Sequence, residues 1–152
     1  MALHCVLLDH TVYGKTYVSA NILKKATQKG YSGLYTTLTD CVNILTISPN
    51  DEKYNARKVL LSVDILVIDE FDSRFMSTEA SSDLFGRTLE NIFRTRTQNR
   101  IPTILCTNSP NIIDTFSGPI KISLESLING YVETISIFGK DFRKTLNVKS
   151  WS

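Results

Sequence analysis

The tripeptide GKT contains Lys15 and Thr16. It comes after the short apolar run HCVLL and precedes a segment with helical spacing. Backbone N–H groups at the start of a helix attract phosphate, because they have no partner within the helix and lie at the positive end of its dipole. A lysine beside them reaches the β and γ phosphates, and a threonine hydroxyl can ligate magnesium. The tripeptide alone is a weak indication, so its value depends on the residues at the ends of the other apolar runs.

Acidic and amide side chains come after two further apolar runs. Asp69 and Glu70 come directly after ILVI, and Asn108 comes directly after TILCT. A carboxylate at the end of a buried strand supplies the hard oxygen that magnesium prefers, and an adjacent glutamate can take a proton from a water that attacks phosphate. Asn108 can hold that water or contact the γ phosphate, although an asparagine before Ser-Pro is also typical of a turn. Together the three sites indicate one reaction, the hydrolysis of a nucleotide.

Strand and helix patterns alternate along the chain, and the elements that they predict must position the residues named above. HCVLL, VDILVIDEF and IPTILC are typical of strands buried on both faces, and YSGLYTTL and YVETISIFG have the composition of further strands. Segments with helical spacing lie between the strands. In the first of them, Val18, Ile22 and Ala26 form the expected apolar stripe of a helix that ends at Gly30. Pro49 divides the next helical segment in two. This order predicts an α/β fold with right-handed crossovers, whose ligands bind at the carboxyl ends of the strands.

Length and composition restrict the possible classes. A chain of 152 residues is expected to form one domain, 1–152, and its net charge of +2 means that any nucleic-acid surface must be local. The apolar runs are far shorter than the roughly 18 residues that span a bilayer, and the N-terminal residues do not have the pattern of a signal peptide. Cys5, Cys41 and Cys106 lack metal-ligand spacing and are expected to be reduced core thiols. These features predict a cytoplasmic protein that does not act at a membrane.

Two basic clusters are candidates for a local nucleic-acid surface. The first consists of Lys53, Arg57 and Lys58, and the second consists of Arg94, Arg96 and Arg100. Tyr54 lies within the first cluster, and an aromatic ring among basic residues suits the stacking of single-stranded bases. The commoner explanation of either cluster alone is a solvated helix face, so single-stranded DNA binding is a hypothesis for each.

The chain resembles the AAA+ ATPases, and within them the DnaC/DnaI-type helicase loaders and the related transposition helper ATPases of the IstB type. The matching segments are YGKTYVSANILKKATQKG, DILVIDEF, LENIFRTRTQNRIPTILCTNSP and ISIFGKDFRK, which cover nearly the whole chain in this order. The resemblance implies a P-loop NTPase three-layer fold, with a five-stranded, mostly parallel sheet and helices on both faces. It places the strand before Asn108, called the sensor strand, between the Walker A strand before Lys15 and the Walker B strand before Asp69.

The resemblance also implies the cofactors, ATP and Mg²⁺, and the roles of the residues. The nucleotide-binding residues would be those of the Walker A segment, namely Val12, Tyr13, Gly14, Lys15, Thr16 and Tyr17. Thr16 and Asp69 would hold the Mg²⁺ ion, Glu70 would activate water, and Asn108 and Lys15 would act in catalysis. The partners would be a DnaB-type replicative helicase, single-stranded DNA and further copies of the chain.

Three features depart from the family pattern. Asp9 replaces the first glycine of the phosphate loop, and Tyr13 replaces the small residue before Gly14, where glycine lets the backbone turn tightly around phosphate. Met1 lies almost at the first strand, so we expect the chain to lack the N-terminal helicase-binding domain of the family. We also expect no C-terminal lid. The segment GPIKISLESLING, where loaders place an arginine finger, contains Lys121 but no arginine.

The resemblance therefore implies an ATP-binding protein of DNA replication, most similar to a helicase loader, and the departures from the family pattern would impair its ATP hydrolysis. One alternative is a catalytically silent interaction module that binds a helicase or a loader, and Asp9 and the missing arginine favour it. Another is a transposition helper ATPase. A small-molecule P-loop kinase is less consistent with the sequence, because it would need an arginine-rich lid and an acceptor pocket.

Overall fold

The computed structural model describes residues 4–9, 14–46, 48–71, 79–108 and 118–137 of the chain. Within these ranges, strands and helices succeed one another in the order that the sequence predicts. The strands are β1 (His4–Asp9), β2 (Gly33–Thr37), β3 (Ile65–Asp69), β4 (Thr103–Thr107) and β5 (Val132–Ile137). The helices are α1 (Gly14–Gln28), α2 (Leu38–Thr46), α3 (Asn50–Ser62), α4 (Glu79–Gln98) and α5 (Gly118–Tyr131).

The strands form a sheet in the order β2-β3-β4-β1-β5, and every neighbouring pair is parallel. Thr37 at the end of β2 lies opposite Asp69 at the end of β3, and Leu8 of β1 lies opposite Thr107 of β4. The carboxyl ends of the strands therefore meet at one edge of the sheet. The α/β fold is confirmed, and β4 lies between β1 and β3, as the resemblance implied.

Helices cover both faces of the sheet. On one face, Val67, Ile104 and Cys106 pack against α1. The larger core on the other face contains residues of β3 and β4 together with residues of α2, α3, α4 and α5. Its members include Leu38, Leu45, Leu60, Leu66, Ile68, Leu89, Ile92, Leu105 and Leu124. Successive residues of β3 and β4 belong to opposite cores, which explains why these strands are continuous apolar runs in the sequence.

Helix α1 lies close to the edge strand β2. Leu23 packs toward the sheet at Gly33, where an added Cβ would lie 2.4 Å from the Leu23 Cδ1 atom. Of the expected apolar stripe, Ala26 is buried and Val18 packs against the sheet, whereas Ile22 is 38% exposed. The stripe is therefore correct at two positions, and Leu23 rather than Ile22 makes the contact with the sheet.

The breaks between helices agree with the sequence. Gly30, two residues after α1, has a φ of 90°, a left-handed conformation that glycine adopts without strain. Pro49 directly precedes α3, so the predicted division of the second helical segment is confirmed. Among the residues described, no helix is long and apolar enough to cross a membrane.

Two of the three cysteines, Cys41 and Cys106, are buried and are not in a disulfide. Burial raises the pKa of the Cys41 thiol to about 11, so this group is protonated and unreactive at neutral pH. The prediction of reduced core thiols is confirmed for these two residues. The side chain of Cys5 lies outside the described part of the structure.

The second basic cluster does not form a surface. Arg96 is fully buried, while Arg94 is half-exposed and its Nη2 lies 2.8 Å from a carboxylate oxygen of Glu90. Arg100 is exposed in the turn after α4, where its φ of 56° is left-handed. The interpretation of the three arginines as one basic face was wrong, because the middle arginine points into the core.

Arg96 links α4 to the amino-terminal edge of the sheet. Its guanidinium donates hydrogen bonds of 2.6–3.0 Å to the carbonyls of Leu60, Val63 and Pro102 and to the hydroxyl of Thr103. Burial lowers the pKa of Arg96 to about 10, which leaves the side chain protonated at neutral pH. The carbonyls at the end of α3 carry partial negative charge, so they suit a buried cation.

We expect Arg96→Met to lower the free energy of unfolding by about 2–4 kcal/mol, because three carbonyls and a hydroxyl lose their charged donor while the aliphatic volume is retained. The matched control is Arg94→Met, which breaks an exposed pair and should cost about 0.5 kcal/mol. Urea unfolding monitored by circular dichroism measures both. Equal losses in the two variants would contradict a structural role for the Arg96 guanidinium.

Candidate functional site

The residues predicted from the strand ends lie together at the carboxyl edge of the sheet. Lys15 and Thr16 are in the first turn of α1, Asp69 ends β3 with Glu70 after it, and Asn108 comes directly after β4. Two side-chain hydrogen bonds join them: Thr16 Oγ1 donates to Asp69 Oδ2 at 2.8 Å, and Lys15 Nζ donates to Asn108 Oδ1. The structure therefore brings together residues that are 53 and 93 positions apart in the sequence.

Lys15 is only 4% exposed, which is unusual for an ammonium group. Its position on the first turn of α1 sets it beside the N–H groups that an α-helix leaves without intrahelical partners. The amide oxygen of Asn108 accepts a hydrogen bond from the ammonium and offsets part of its desolvation. A phosphate oxygen could take the place of that amide oxygen and leave Lys15 paired.

Asp69 is buried and accepts three hydrogen bonds. Both Thr16 and Tyr35 donate their hydroxyls to Oδ2, and the N–H of Glu70 donates to Oδ1 at 2.7 Å. Partial burial raises the pKa of the Tyr35 hydroxyl, and its hydrogen bond to Asp69 raises it further. Tyr35 therefore stays protonated, as a donor, across the physiological pH range.

Sequence reasoning missed Tyr35. An aromatic residue in YSGLYTTL is expected in any strand, so its type gives no sign of a polar role. The contact between Tyr35 and Asp69 follows from the parallel pairing of β2 with β3, which places Thr37 opposite Asp69. Residue 35 then lies two positions before that pair, within reach of the carboxylate. Strand neighbours of this kind are not visible in the local sequence.

The backbone turns sharply at Glu70. Its φ is 53°, a left-handed conformation that is uncommon for residues other than glycine and asparagine and that stores strain when it occurs at functional sites. The turn is fixed on both sides, since the Glu70 N–H bonds to Asp69 and the Phe71 N–H donates to the Cys106 carbonyl at 2.9 Å. The Glu70 side chain is consequently exposed beside the site, on a backbone that is held in place.

The side chains present are suited to a magnesium ion held together with phosphate. The Thr16 hydroxyl and the Asp69 carboxylate are hard oxygen ligands 2.8 Å apart, and Mg²⁺ is usually bound by one or two protein oxygens, phosphates and water. Within the described ranges, no group of three or more His, Cys, Asp or Glu side chains could hold a metal alone. The donor set therefore fits an ion that arrives with a nucleotide.

Several predicted residues are not part of the described site. Val12 and Tyr13 lie outside the described residues. Asp9 ends β1 and its backbone pairs with Ile137, but its side chain is not described. Tyr17 has a side chain that is 73% exposed on α1. The predicted roles of Val12, Tyr13 and Tyr17 in nucleotide binding remain predictions.

The fold and the site together define a P-loop-like α/β nucleotide-binding domain. A parallel sheet carries a lysine and a threonine at the start of the helix after β1, and an aspartate at the end of β3 contacts that threonine. Over residues 2–110, more than half of the chain, the sequence matches the family described as IstB-like ATP binding protein. The chain belongs to this family of ATP-binding proteins. No curated protein sequence gave a significant match.

Several solved structures share the fold of this chain. DnaI matches with a TM-score of 0.72 and 19% identity, covering 92% of this chain and 72% of that one. The DnaC helicase loader matches with a TM-score of 0.60 and 23% identity, covering 89% and 78%. AMPPCP-bound DnaA from Aquifex aeolicus matches with a TM-score of 0.70 and 20% identity, covering 96% and 43%. The chain spans less than half of two replication initiation proteins that it matches, 44% and 47% of their lengths.

We expect Asn108→Ala to destabilise the nucleotide-free protein by about 1 kcal/mol, because the buried Lys15 ammonium loses an acceptor. Asn91→Ala, a substitution on the exposed face of α4, is the control and should cause no loss. Thermal unfolding in EDTA without nucleotide measures both variants. An Asn108→Ala protein as stable as the wild type would contradict the contact between Lys15 and Asn108.

Proposed function

We propose that this chain binds ATP with Mg²⁺ at the carboxyl edge of its sheet and hydrolyses it slowly, as an AAA+ protein of DNA replication most similar to a helicase loader. The observation that carries the proposal is the hydrogen bond between Thr16 and Asp69, residues on different elements. A threonine and an aspartate in contact beside a buried lysine are the residue types that hold magnesium and phosphate in P-loop NTPases. The family match supports ATP as the ligand.

In this proposal, the first turn of α1 binds phosphate. Lys15 exchanges the amide oxygen of Asn108 for a phosphate oxygen, so its buried ammonium remains paired throughout. Thr16 and Asp69 hold the magnesium ion, which when bound neutralises part of the charge on the phosphates. The exchange also releases the Asn108 amide, which then orients the water.

Glu70 is the proposed general base. Its exposed carboxylate lies beside the site, and the fixed left-handed turn keeps it at one place relative to Asp69. A glutamate at such a position takes the proton of the attacking water. Turnover is expected to be slow, because Asp9 replaces a glycine of the phosphate loop and the segment with Lys121 supplies no arginine finger.

The basic cluster on α3 is the proposed contact with single-stranded DNA. Arg57 and Lys58 are exposed, and the Tyr54 side chain is 70% exposed. Tyr54 and Lys58 are four residues apart on the helix, as are Lys53 and Arg57, so these four side chains lie on neighbouring parts of one surface. A solved DnaA structure with the same fold is described as bound to AMPPCP and single-stranded DNA. That structure supports the class of ligand that we propose here.

The proposed protein partners are a DnaB-type replicative helicase and further copies of the chain. DnaI and the DnaC helicase loader, which share the fold, support this choice. The family match favours a second candidate, a transposition helper ATPase of the IstB type. Co-purification distinguishes the two: a helicase loader retains a replicative helicase, and a transposition helper retains a transposase.

Glu70→Gln should retain ATP binding and lower ATP turnover by about 100-fold or more, because the amide cannot accept the proton of the water. Glu52→Gln on α3 is the matched control, an exposed glutamate outside the site whose loss should leave turnover unchanged. Phosphate release under single-turnover conditions measures all three proteins. Equal turnover in Glu70→Gln and the wild type would remove Glu70 from this role. A wild type that binds ATP without turnover would instead favour the silent interaction module.

Replacing both Arg57 and Lys58 with glutamate should weaken binding to single-stranded DNA by about 10-fold or more and reduce its salt dependence, because fewer counterions are released. The same double substitution at Lys24 and Lys25, on α1, provides a control with equal charge change. Fluorescence anisotropy of a labelled oligonucleotide at several salt concentrations measures both. If the two double variants lose affinity equally, general charge rather than the α3 surface accounts for binding.

A further inference from the structure

The Tyr35 hydroxyl donates a hydrogen bond to the oxygen of Asp69 that a magnesium ion would need. This hydroxyl and the Thr16 hydroxyl both donate to Oδ2 of Asp69. Each oxygen of an ionised carboxylate has about two lone-pair positions, so two donors fill Oδ2. The other oxygen, Oδ1, accepts one donor, the backbone N–H of Glu70, and so faces the turn after β3 rather than the Thr16 hydroxyl.

An ion held by both Thr16 and Asp69 has to approach the carboxylate oxygen nearest to Thr16, which is Oδ2. Either the ion itself or a water bound to it then needs a free lone pair on that oxygen. One of the two hydroxyl donors must therefore leave. The Thr16 hydroxyl can stay, because it can donate its proton to Asp69 while its own lone pair faces the ion.

Tyr35 is the donor that can leave at low cost. It lies on β2, at the edge of the sheet, and its side chain is already 37% exposed. A hydroxyl that turns toward solvent exchanges one hydrogen bond for another with water. The N–H of Glu70, in contrast, belongs to a turn that is fixed by the Phe71 contact with Cys106.

We propose that Tyr35 is a magnesium-linked latch: it donates to Asp69 when no ion is bound and is displaced from Oδ2 when Mg²⁺ binds with ATP. This inference rests on the proposed magnesium and ATP site and adds a residue that competes with the ion. The latch stabilises the metal-free state only. By linkage, its removal strengthens magnesium binding by the same factor that it weakens the metal-free fold.

The test compares the wild type with Tyr35→Phe, which removes only the hydroxyl. Tyr31→Phe, an exposed tyrosine four residues earlier, is the matched control. In EDTA without nucleotide, Tyr35→Phe should unfold at a lower temperature than the other two proteins. With saturating Mg²⁺ and ATP, the three unfolding temperatures should converge.

The second measurement is a Mg²⁺ titration of the binding of a fluorescent ATP analogue. Tyr35→Phe should reach half of the Mg²⁺-dependent change in analogue binding at about 5-fold lower Mg²⁺. The reason is that the hydrogen bond to the partly exposed, charged Asp69 carboxylate no longer competes with the ion. Binding of the analogue in EDTA should be the same in all three proteins. A higher Mg²⁺ requirement in Tyr35→Phe would overturn the latch, since it would mean that Tyr35 positions Asp69 for the ion.

A third measurement monitors the wild-type side chain. The ¹³Cζ resonance of Tyr35, assigned by its absence from Tyr35→Phe, should shift with Mg²⁺ and ATP and remain in place with ATP in EDTA. An unchanged resonance would overturn the displacement. If Mg²⁺ has no effect on analogue binding by the wild type, the magnesium site of the proposed function is wrong. If Mg²⁺ promotes binding and the wild type and Tyr35→Phe need the same concentration, only the latch is wrong.

Discussion

The carboxylate of Asp69 connects three of the elements that form the site. Thr16 on α1, Tyr35 on β2 and the backbone of Glu70 after β3 all donate hydrogen bonds to it. A buried carboxylate without such donors would be costly, so the start of α1 and the turn after β3 are constrained by one side chain. The parallel arrangement of the strands makes this possible, because it brings their carboxyl ends to the same edge.

A second buried charge, Arg96, acts at the opposite edge of the sheet. Its guanidinium joins the end of α3 to the residues that begin β4 through carbonyls and one hydroxyl. Charges in a protein interior are tolerated when hydrogen bonds satisfy them, and here the two charges stabilise different regions. Arg96 therefore joins α3 and α4 to the sheet at the amino edge, and Asp69 joins the residues of the candidate site at the carboxyl edge.

The sequence predicts those parts of the structure that depend on neighbours along the chain. β3 and β4 were identifiable as continuous apolar runs, and Thr16 and Asp69 were identifiable because ligands bind where parallel strands end. The contact of Tyr35 was missed and Arg96 was misjudged, because their residue types suggest a strand-forming aromatic and a surface cation, whereas their partners come from elements distant in sequence. The left-handed backbone at Glu70 was not predicted either, because glutamate does not favour it and tertiary contacts impose it.

The connection between β2 and α2 contains no loop residue. Thr37 ends the strand opposite Asp69, and its hydroxyl accepts the Asp40 N–H at 3.1 Å, so the same residue caps the helix that begins at Leu38. Because no loop separates the two elements, the first turn of α2 begins directly at the strand end that lies beside Asp69. A displacement of that strand end would reach α2 without a linker to absorb it.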